Sequence, residues 1–167
     1  MPTSDFTRAY DEHVWQVYGF FAYRLGSRWE AEDLTQQTFE RALRAWSRYD
    51  PERAKMATWL LVIARNLLID HHRARRPAAQ DPAQTAEADL GVTLGPETDL
   101  GLSAEIASAL DTLEDRDREL LALRFGGDLT GPEIAELTGL TLANVQQILS
   151  RSLRRLRVLL DPLNAIG

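Results

Sequence analysis

The stretch TWLLVIARNLLIDHHRARRP, residues 58–77, changes character halfway along. Its first half repeats apolar residues at intervals of three and four, which is the spacing of one face of an α-helix. These residues are Trp59, Leu60, Ile63, Ala64 and Leu67. Five of the six residues at 71–76 are then histidine or arginine, and Pro77 ends the pattern. The stretch predicts a helix over about 55–75 that begins in a core and ends with positive charge facing a partner.

Two more helices are predicted on the N-terminal side of this stretch. Residues 5–25 and 30–46 each carry an apolar stripe at helical spacing, and Gly26 with Ser27 separates them. Tyr10 lies on the first stripe and Leu43 on the second. Because these three helices hold most of the large aromatic residues, they predict one compact helical bundle.

Helical periodicity returns after residue 103. One helix is marked by Ile106, Leu110 and Leu113, and the next by Leu120, Leu121, Leu123 and Phe125, closed by Gly126 and Gly127. Thr130-Gly131-Pro132-Glu133 then reads as a capping box that begins a short helix. Gly139 ends that helix, and Thr141 caps a longer one. This order predicts a helix-turn-helix, with an ordinary helical hairpin as the alternative.

The two helical parts are separated by a segment of different composition. Residues 77–102 are dominated by proline, alanine, glycine, glutamine and acids, without helical periodicity, which is typical of a flexible acidic linker. The predicted fold class is therefore all-α. Two small domains are expected: a bundle of three or four helices over residues 1–76 and a helix-turn-helix domain over residues 103–167.

The charge of the chain is unevenly distributed. The net charge is −6, but residues 51–76 hold six basic and two acidic residues, and residues 137–167 hold four basic and one acidic. Eighteen of the 19 basic residues are arginine, because Lys55 is the only lysine. The planar guanidinium suits phosphates and base edges, so two basic helix ends favour nucleic acid over a merely solvated surface.

Several classes of function are disfavoured by what the chain lacks. Without cysteine it can form no disulfide, cysteine zinc site or thiol nucleophile. No metal site is expected either, because His71 and His72 are adjacent on a helix and point about 100° apart. No phosphate loop or nucleophile elbow is present, so neither an enzyme nor a cofactor is expected. The N-terminus lacks a signal-peptide core and no apolar run could span a membrane, which predicts a cytoplasmic protein.

Two long motifs resemble the sigma-70 family of bacterial RNA polymerase sigma factors. Residues 31–53, AEDLTQQTFERALRAWSRYDPER, together with 58–76 are similar to its region 2. Residues 113–157, LEDRDRELLALRFGGDLTGPEIAELTGLTLANVQQILSRSLRRLR, resemble region 4. A chain of 167 residues with regions 2 and 4 alone resembles the extracytoplasmic-function (ECF) class. The resemblance implies a non-enzymatic initiation factor that lends promoter specificity to core RNA polymerase.

The resemblance assigns the second helix to core polymerase binding. In the family, a D-L-x-Q-x-x-F pattern docks on the β′ clamp helices, while region 4 contacts the β flap. Leu34 and Phe39 would face the bundle core. The polar positions implied to bind polymerase are Asp33, Gln36, Gln37 and Glu40. Gln37 departs from the acidic residue that is usual there.

The helix that opens this section matches the part of region 2 that melts the −10 element. In the family this part holds a flipped-out base, whose unstacking must be offset by a pocket and by phosphate contacts. The residues implied here are Asp50, Arg53 and Lys55 in the pocket wall, Asn66 and Asp70 toward bases, and Arg65, Arg73, Arg75 and Arg76 on phosphates. Trp59 is expected in the core rather than as a stacking platform.

The last helix is implied to enter the major groove at the −35 element. Its base-reading candidates are Thr141, Ala143, Asn144, Gln146, Gln147 and Ser150, and its phosphate-binding candidates are Arg151, Arg154, Arg155 and Arg157. Asn144-Val145-Gln146-Gln147-Ile148 stands where the family commonly has T-V-K-S-R. A lysine and an arginine are therefore missing, which predicts weaker or less salt-sensitive −35 binding.

The implied partners are core RNA polymerase, promoter DNA and an anti-sigma factor that would hold the two domains. Two other hypotheses remain open. A helix-turn-helix regulator could bind DNA without core polymerase, but it would not need the pattern from Asp33 to Phe39. A sigma mimic could sequester an anti-sigma factor, which the altered recognition helix favours and the arginines at 73–76 disfavour.

Overall fold

A computed structural model describes residues 2–75 and 103–161, and for Pro2, Thr3 and Arg75 it describes the backbone alone. In this part of the chain the structure is helical, which confirms the predicted all-α class. The helices are α1 (Pro2–Leu25), α2 (Arg28–Arg44), α3 (Met56–Arg75), α4 (Ala104–Asp111), α5 (Asp115–Leu121), α6 (Gly131–Thr138) and α7 (Leu142–Leu160). The predicted linker over residues 77–102 lies outside the described residues.

The helix boundaries follow from local capping. The hydroxyl of Ser27 accepts a hydrogen bond from the Glu30 amide at the start of α2, and Ser103 does the same for α4. The predicted capping box is present at α6, where Thr130 and Glu133 bond each other's backbone amide. Gly139 ends α6 in the left-handed conformation, with φ of 81°. These side chains satisfy amides that would otherwise lack partners at the helix ends.

The first three helices pack into the predicted bundle. Phe20 and Phe21 of α1, Leu34 and Phe39 of α2, and Leu60 of α3 are all at most 4% exposed. A 3₁₀ turn, Trp46–Arg48, follows α2, and its tryptophan packs on both Tyr49 and Trp59. This aromatic cluster closes the bundle at the end from which the 49–55 loop leaves.

The second helical part shares a hydrophobic core with the first. Ile134 of α6 and Val145 of α7 belong to the same buried cluster as the α1 phenylalanines. The backbones approach closely at Gly19 of α1 and Gly126, where a Cβ on Gly126 would lie 2.8 Å from the Phe20 nitrogen. The sequence did not predict this packing, because it joins positions more than 100 residues apart.

Polar contacts reinforce the junction between the two halves. Gln16 donates a hydrogen bond to the Gly127 carbonyl at 2.9 Å, and Arg118 donates one to the Tyr23 carbonyl at 2.7 Å. Arg24 donates to the Asp115 carbonyl at 3.2 Å. Burial lowers the pKa of the Arg24 guanidinium, while the Asp115 carboxylate opposes this shift. The two halves are thus joined by apolar packing and by directional bonds.

One predicted helix end is wrong. The stripe through Phe125 was expected to continue one α-helix, but α5 ends at Leu121 and a π-helical turn, Ala122–Gly126, follows. Its wider hydrogen bond, from the Gly127 amide to the Ala122 carbonyl at 2.8 Å, adds one residue to the turn. The extra residue shifts the phase of the stripe, which leaves Phe125 45% exposed.

Candidate polymerase and promoter interfaces

The polar positions of α2 lie on its outer side. Asp33, Gln36 and Glu40 are exposed, while Leu34 and Phe39 are buried on the opposite side. Gln37 is half-buried and its amide donates a hydrogen bond to the Asp33 carboxylate at 2.9 Å. Helical spacing produces this separation, because residues three and four apart share a face. The arrangement leaves an acidic and amide-rich surface available to a partner.

An apolar groove of about 560 Å³ runs beside this surface, between α1 and α2. Gln36 and Glu40 line one side of it. Tyr10, Trp15 and Leu43 also line it and are 43%, 55% and 55% exposed. The stripe positions Tyr10 and Leu43 therefore border an open groove rather than fill the core.

The 49–55 loop is held in a defined shape. The Tyr49 hydroxyl donates to the Ala54 carbonyl at 2.9 Å, and the Asp50 carboxylate accepts from the Glu52 amide at 2.9 Å. Burial raises the pKa of the Tyr49 phenol, and the Asp50 carboxylate raises it further, so the hydroxyl remains a donor. The ring of Trp59 lies 5.0 Å from that of Tyr49. Trp59 thus supports the loop from the bundle and is half-buried.

The exposed side of α3 carries part of the set predicted to bind the −10 element. Asn66, Asp70 and Arg73 are exposed. The Asp70 carboxylate pairs with Arg41 of α2 at 3.3 Å, so it is not isolated on the surface. His71 contacts Glu30 of α2 at 2.9 Å. The Arg75 side chain and Arg76 lie outside the described part of the chain.

Two other members of that set face the second half of the molecule. The Arg65 guanidinium lies 2.5 Å from the Glu119 carboxylate of α5. The Lys55 ammonium lies 3.6 Å from the Glu133 carboxylate of α6. In this arrangement, acidic residues of the C-terminal half pair with two of the basic residues predicted to bind DNA.

Helix α7 presents the predicted recognition surface. Thr141, Ala143, Asn144, Gln146, Gln147 and Ser150 are all exposed, as are Arg151, Arg154, Arg155 and Arg157. Val145 and Ile148 are buried against the rest of the helix-turn-helix. Ile148 therefore supports the helix from inside rather than lying on its exposed surface. Arg151 is already paired with Asp117 of α5, at 3.2 Å.

Other kinds of site are not found in the described residues. Over residues 2–75 and 103–161, no three acidic or histidine side chains are grouped as a metal site would require. Within the same ranges, no helix is both long and apolar enough to cross a membrane. The geometry thus defines an all-α helix-turn-helix protein with one exposed acidic helix face and two exposed surfaces rich in arginine and amides.

Comparison with known proteins identifies the family. Residues 9–77 match sigma-70 region 2 and residues 109–158 match sigma-70 region 4. The ECF RNA polymerase sigma factor RpoE of Cereibacter sphaeroides is 30% identical over 155 residues, covering 91% of this chain and 84% of that protein. The ECF RNA polymerase sigma factor BldN of Streptomyces coelicolor is 32% identical over 158 residues. The chain belongs to the ECF class of the sigma-70 family.

The similar proteins differ in how much of their own length this chain covers. The alignment with BldN covers 93% of this chain but 60% of that longer protein. The fold matches the sigma factor RpoE of Bartonella quintana, solved in complex with the anti-sigma factor NepR, with a TM-score of 0.76 at 23% identity. That match covers 94% of this chain and 97% of the other, so both helical halves share the fold.

Proposed function

We propose that this protein binds core RNA polymerase and directs it to promoters by recognising −10 and −35 elements and opening the −10 DNA. The observation that carries the proposal is the recognition helix, on which all six candidate base-reading residues are exposed while Val145 and Ile148 anchor it from below. Such a helix is suited to the major groove. Because the chain belongs to the sigma-70 family, we expect its partner to be RNA polymerase.

Core polymerase would dock on α2 and on the adjoining groove. The exposed Asp33, Gln36 and Glu40 offer acceptors for a basic or polar partner, and Trp15 and Leu43 offer exposed apolar surface. A polar rim around apolar anchors is the usual composition of a specific protein interface. In this proposal Gln37 acts by orienting the Asp33 carboxylate.

Promoter DNA would contact both basic surfaces. Asn66 and Arg73 of α3 would meet the −10 strand, and Asn144 and Gln147 of α7 would read bases at −35, where asparagine and glutamine can pair with adenine in a bidentate manner. The 49–55 loop would wall the pocket for a flipped base. Arg65 and Lys55 would join this contact after leaving Glu119 and Glu133.

Regulation and location are proposed on the same basis. The Bartonella relative was solved with an anti-sigma factor, and we expect this chain to be held by a protein of that class. The protein would work in the cytoplasm, where polymerase and DNA are found. It would perform no bond chemistry itself, because initiation chemistry takes place in the polymerase.

The decisive experiment is run-off transcription with purified core polymerase on fragmented genomic DNA, with and without the protein. Discrete transcripts that need the protein are expected, and their upstream sequences would reveal both promoter elements. Asp33→Arg should reduce them by weakening core binding, whereas Asp5→Arg, an equal charge change at an exposed position of α1, should not. Stable core binding without transcripts would favour a sigma mimic. Neither binding nor transcripts would leave a free helix-turn-helix regulator.

A further inference from the structure

An ion pair joins the middle of the recognition helix α7 to the start of α5. The Arg151 guanidinium donates a hydrogen bond to the Asp117 carboxylate at 3.2 Å. The two side chains differ in exposure, since 59% of Arg151 is exposed against 8% of Asp117. Asp117 is the most deeply buried charged residue among those whose side chains the structure describes. The pair therefore has one buried, fixed end and one open end.

We propose that Asp117 is a positioning residue for promoter binding, which holds the Arg151 guanidinium in place for a DNA phosphate at the −35 element. The inference rests on the proposed function, in which α7 enters the major groove. It adds a residue of α5 that acts on DNA through Arg151 and has no contact with DNA of its own. Asp117 was not among the residues predicted to take part in DNA binding.

Arg151 lies on the face of α7 that the proposed function assigns to DNA. Residues three and four apart share a helix face, and Arg151 follows Gln147 by four positions and Asn144 by seven. All three are exposed, whereas Ile148 and Ser152 are buried. Arg151 thus stands where the base-reading face meets the buried face. This place suits a contact with the DNA backbone that borders the groove.

Arg151 can hold a phosphate without leaving Asp117. A guanidinium carries five N–H donors, and the printed bond to Asp117 uses one of them. The other donors belong to a side chain that is more than half exposed. Arg65 differs, because only 31% of its side chain is exposed and the proposed function requires it to leave Glu119. Asp117 therefore supports an arginine, whereas Glu119 competes for one.

The carboxylate of Asp117 is held by the packing of α5 on α7. Leu121 of α5 lies in one apolar cluster with Leu149 of α7, and Leu120 lies in the larger core cluster with Ile148. A long arginine side chain loses rotamer freedom when it is ordered by a ligand. A fixed partner orders it before DNA arrives, which lowers this cost of binding. Removing the Asp117 charge should therefore weaken the phosphate contact, although it makes the protein less negative.

The test uses holoenzyme assembled from core polymerase and wild type, Asp117→Asn, Arg151→Gln or the double variant. Its dissociation constant for the promoter duplex recovered by run-off transcription is measured against salt concentration by fluorescence anisotropy. The matched control is Glu114→Gln, which removes an equal charge from an exposed position at the start of α5. Circular dichroism of the free proteins shows which variants fold. Asp117→Ser, with a smaller side chain, replaces Asp117→Asn if the latter does not.

Asp117→Asn and Arg151→Gln should each lower the salt slope by about 0.9, the contribution of one phosphate contact on duplex DNA. The double variant should lower the slope by the same amount rather than by twice as much, because both changes remove one contact. Glu114→Gln should match wild type.

An unchanged slope in Arg151→Gln would show that Arg151 holds no phosphate. An unchanged slope in the Asp117 variant would show that the carboxylate only neutralises the arginine. Losses that add in the double variant, an equal loss in the control, or failure of both Asp117 variants to fold would also overturn the inference. Failure of wild-type holoenzyme to transcribe would instead count against the proposed function.

Discussion

At position 126 there is no room for a side chain, because the Gly126 backbone lies directly on Gly19 of α1. We expect Gly126→Ala to separate the two halves locally and to lower the free energy of unfolding by roughly 1–3 kcal/mol, the usual cost of overpacking. The control is Gly131→Ala, whose new Cβ would meet only the flexible end of Leu142, at 3.2 Å. Chemical denaturation would measure both variants, and equal stability losses would contradict the glycine contact.

Two residues of α7 should have separable effects on −35 binding. Asn144→Ala should remove base discrimination, costing about 1–3 kcal/mol at one base pair and little elsewhere. Arg154→Ala should weaken binding to all sequences alike and reduce the salt slope by about one. Competition binding with a set of single-base promoter variants would distinguish them. A uniform loss for Asn144→Ala would show that it does not read a base.

The capping box of α6 should contribute to the stability of the helix-turn-helix. Thr130→Ala should cost about 1 kcal/mol of stability, as helix caps usually do. Denaturation of the variant and wild type at neutral pH would measure this loss. An unchanged stability would show that the amides at the start of α6 need no cap.

The same box gives a pH dependence. Burial tends to raise the pKa of the Glu133 carboxyl, but the Thr130 hydrogen bonds and nearby Lys55 outweigh it, and the pKa falls below its ordinary 4.5. A lowered pKa in the folded state gives stability that is present in full above about 4.5 and lost as the pH falls through the folded value. Glu133→Gln should therefore flatten the acid limb of a stability–pH profile. If the stability of the variant fell with decreasing pH as steeply as that of the wild type, this expectation would be contradicted.

At the scale of the whole molecule, the packed arrangement places Glu119 on Arg65, a residue proposed to hold DNA. Removing the carboxylate should free the guanidinium for phosphate. We expect Glu119→Gln to raise affinity for promoter bubble DNA about fivefold, because a partly exposed ion pair contributes on the order of 1 kcal/mol. Glu136→Gln, which removes an exposed acid of α6, is the matched control. Identical affinities of the two variants would show that Glu119 does not compete with DNA.

Local structure follows from the amino-acid sequence alone. The helices, the Thr130 and Thr141 caps, and the end of α6 at Gly139 depend on residues within a few positions of each other, so periodicity and turn chemistry predict them. The motifs also placed the chain in its family, and the comparisons confirm this. The assignment of individual residues to polymerase and DNA stays a prediction.

How the two halves meet depends on the packing of the whole folded chain. Gly19 contacts Gly126, and Arg65 pairs with Glu119. These residues are distant in sequence, and no local pattern contains such pairings. The π-helical turn that exposes Phe125 could not be predicted from an apolar stripe either. A stripe assumes 3.6 residues per turn, and the residue added by the π-helical turn rotates the positions that follow it. Short-range chemistry forms the helices, whereas shape and charge complementarity across the folded chain determine which surfaces remain for a partner.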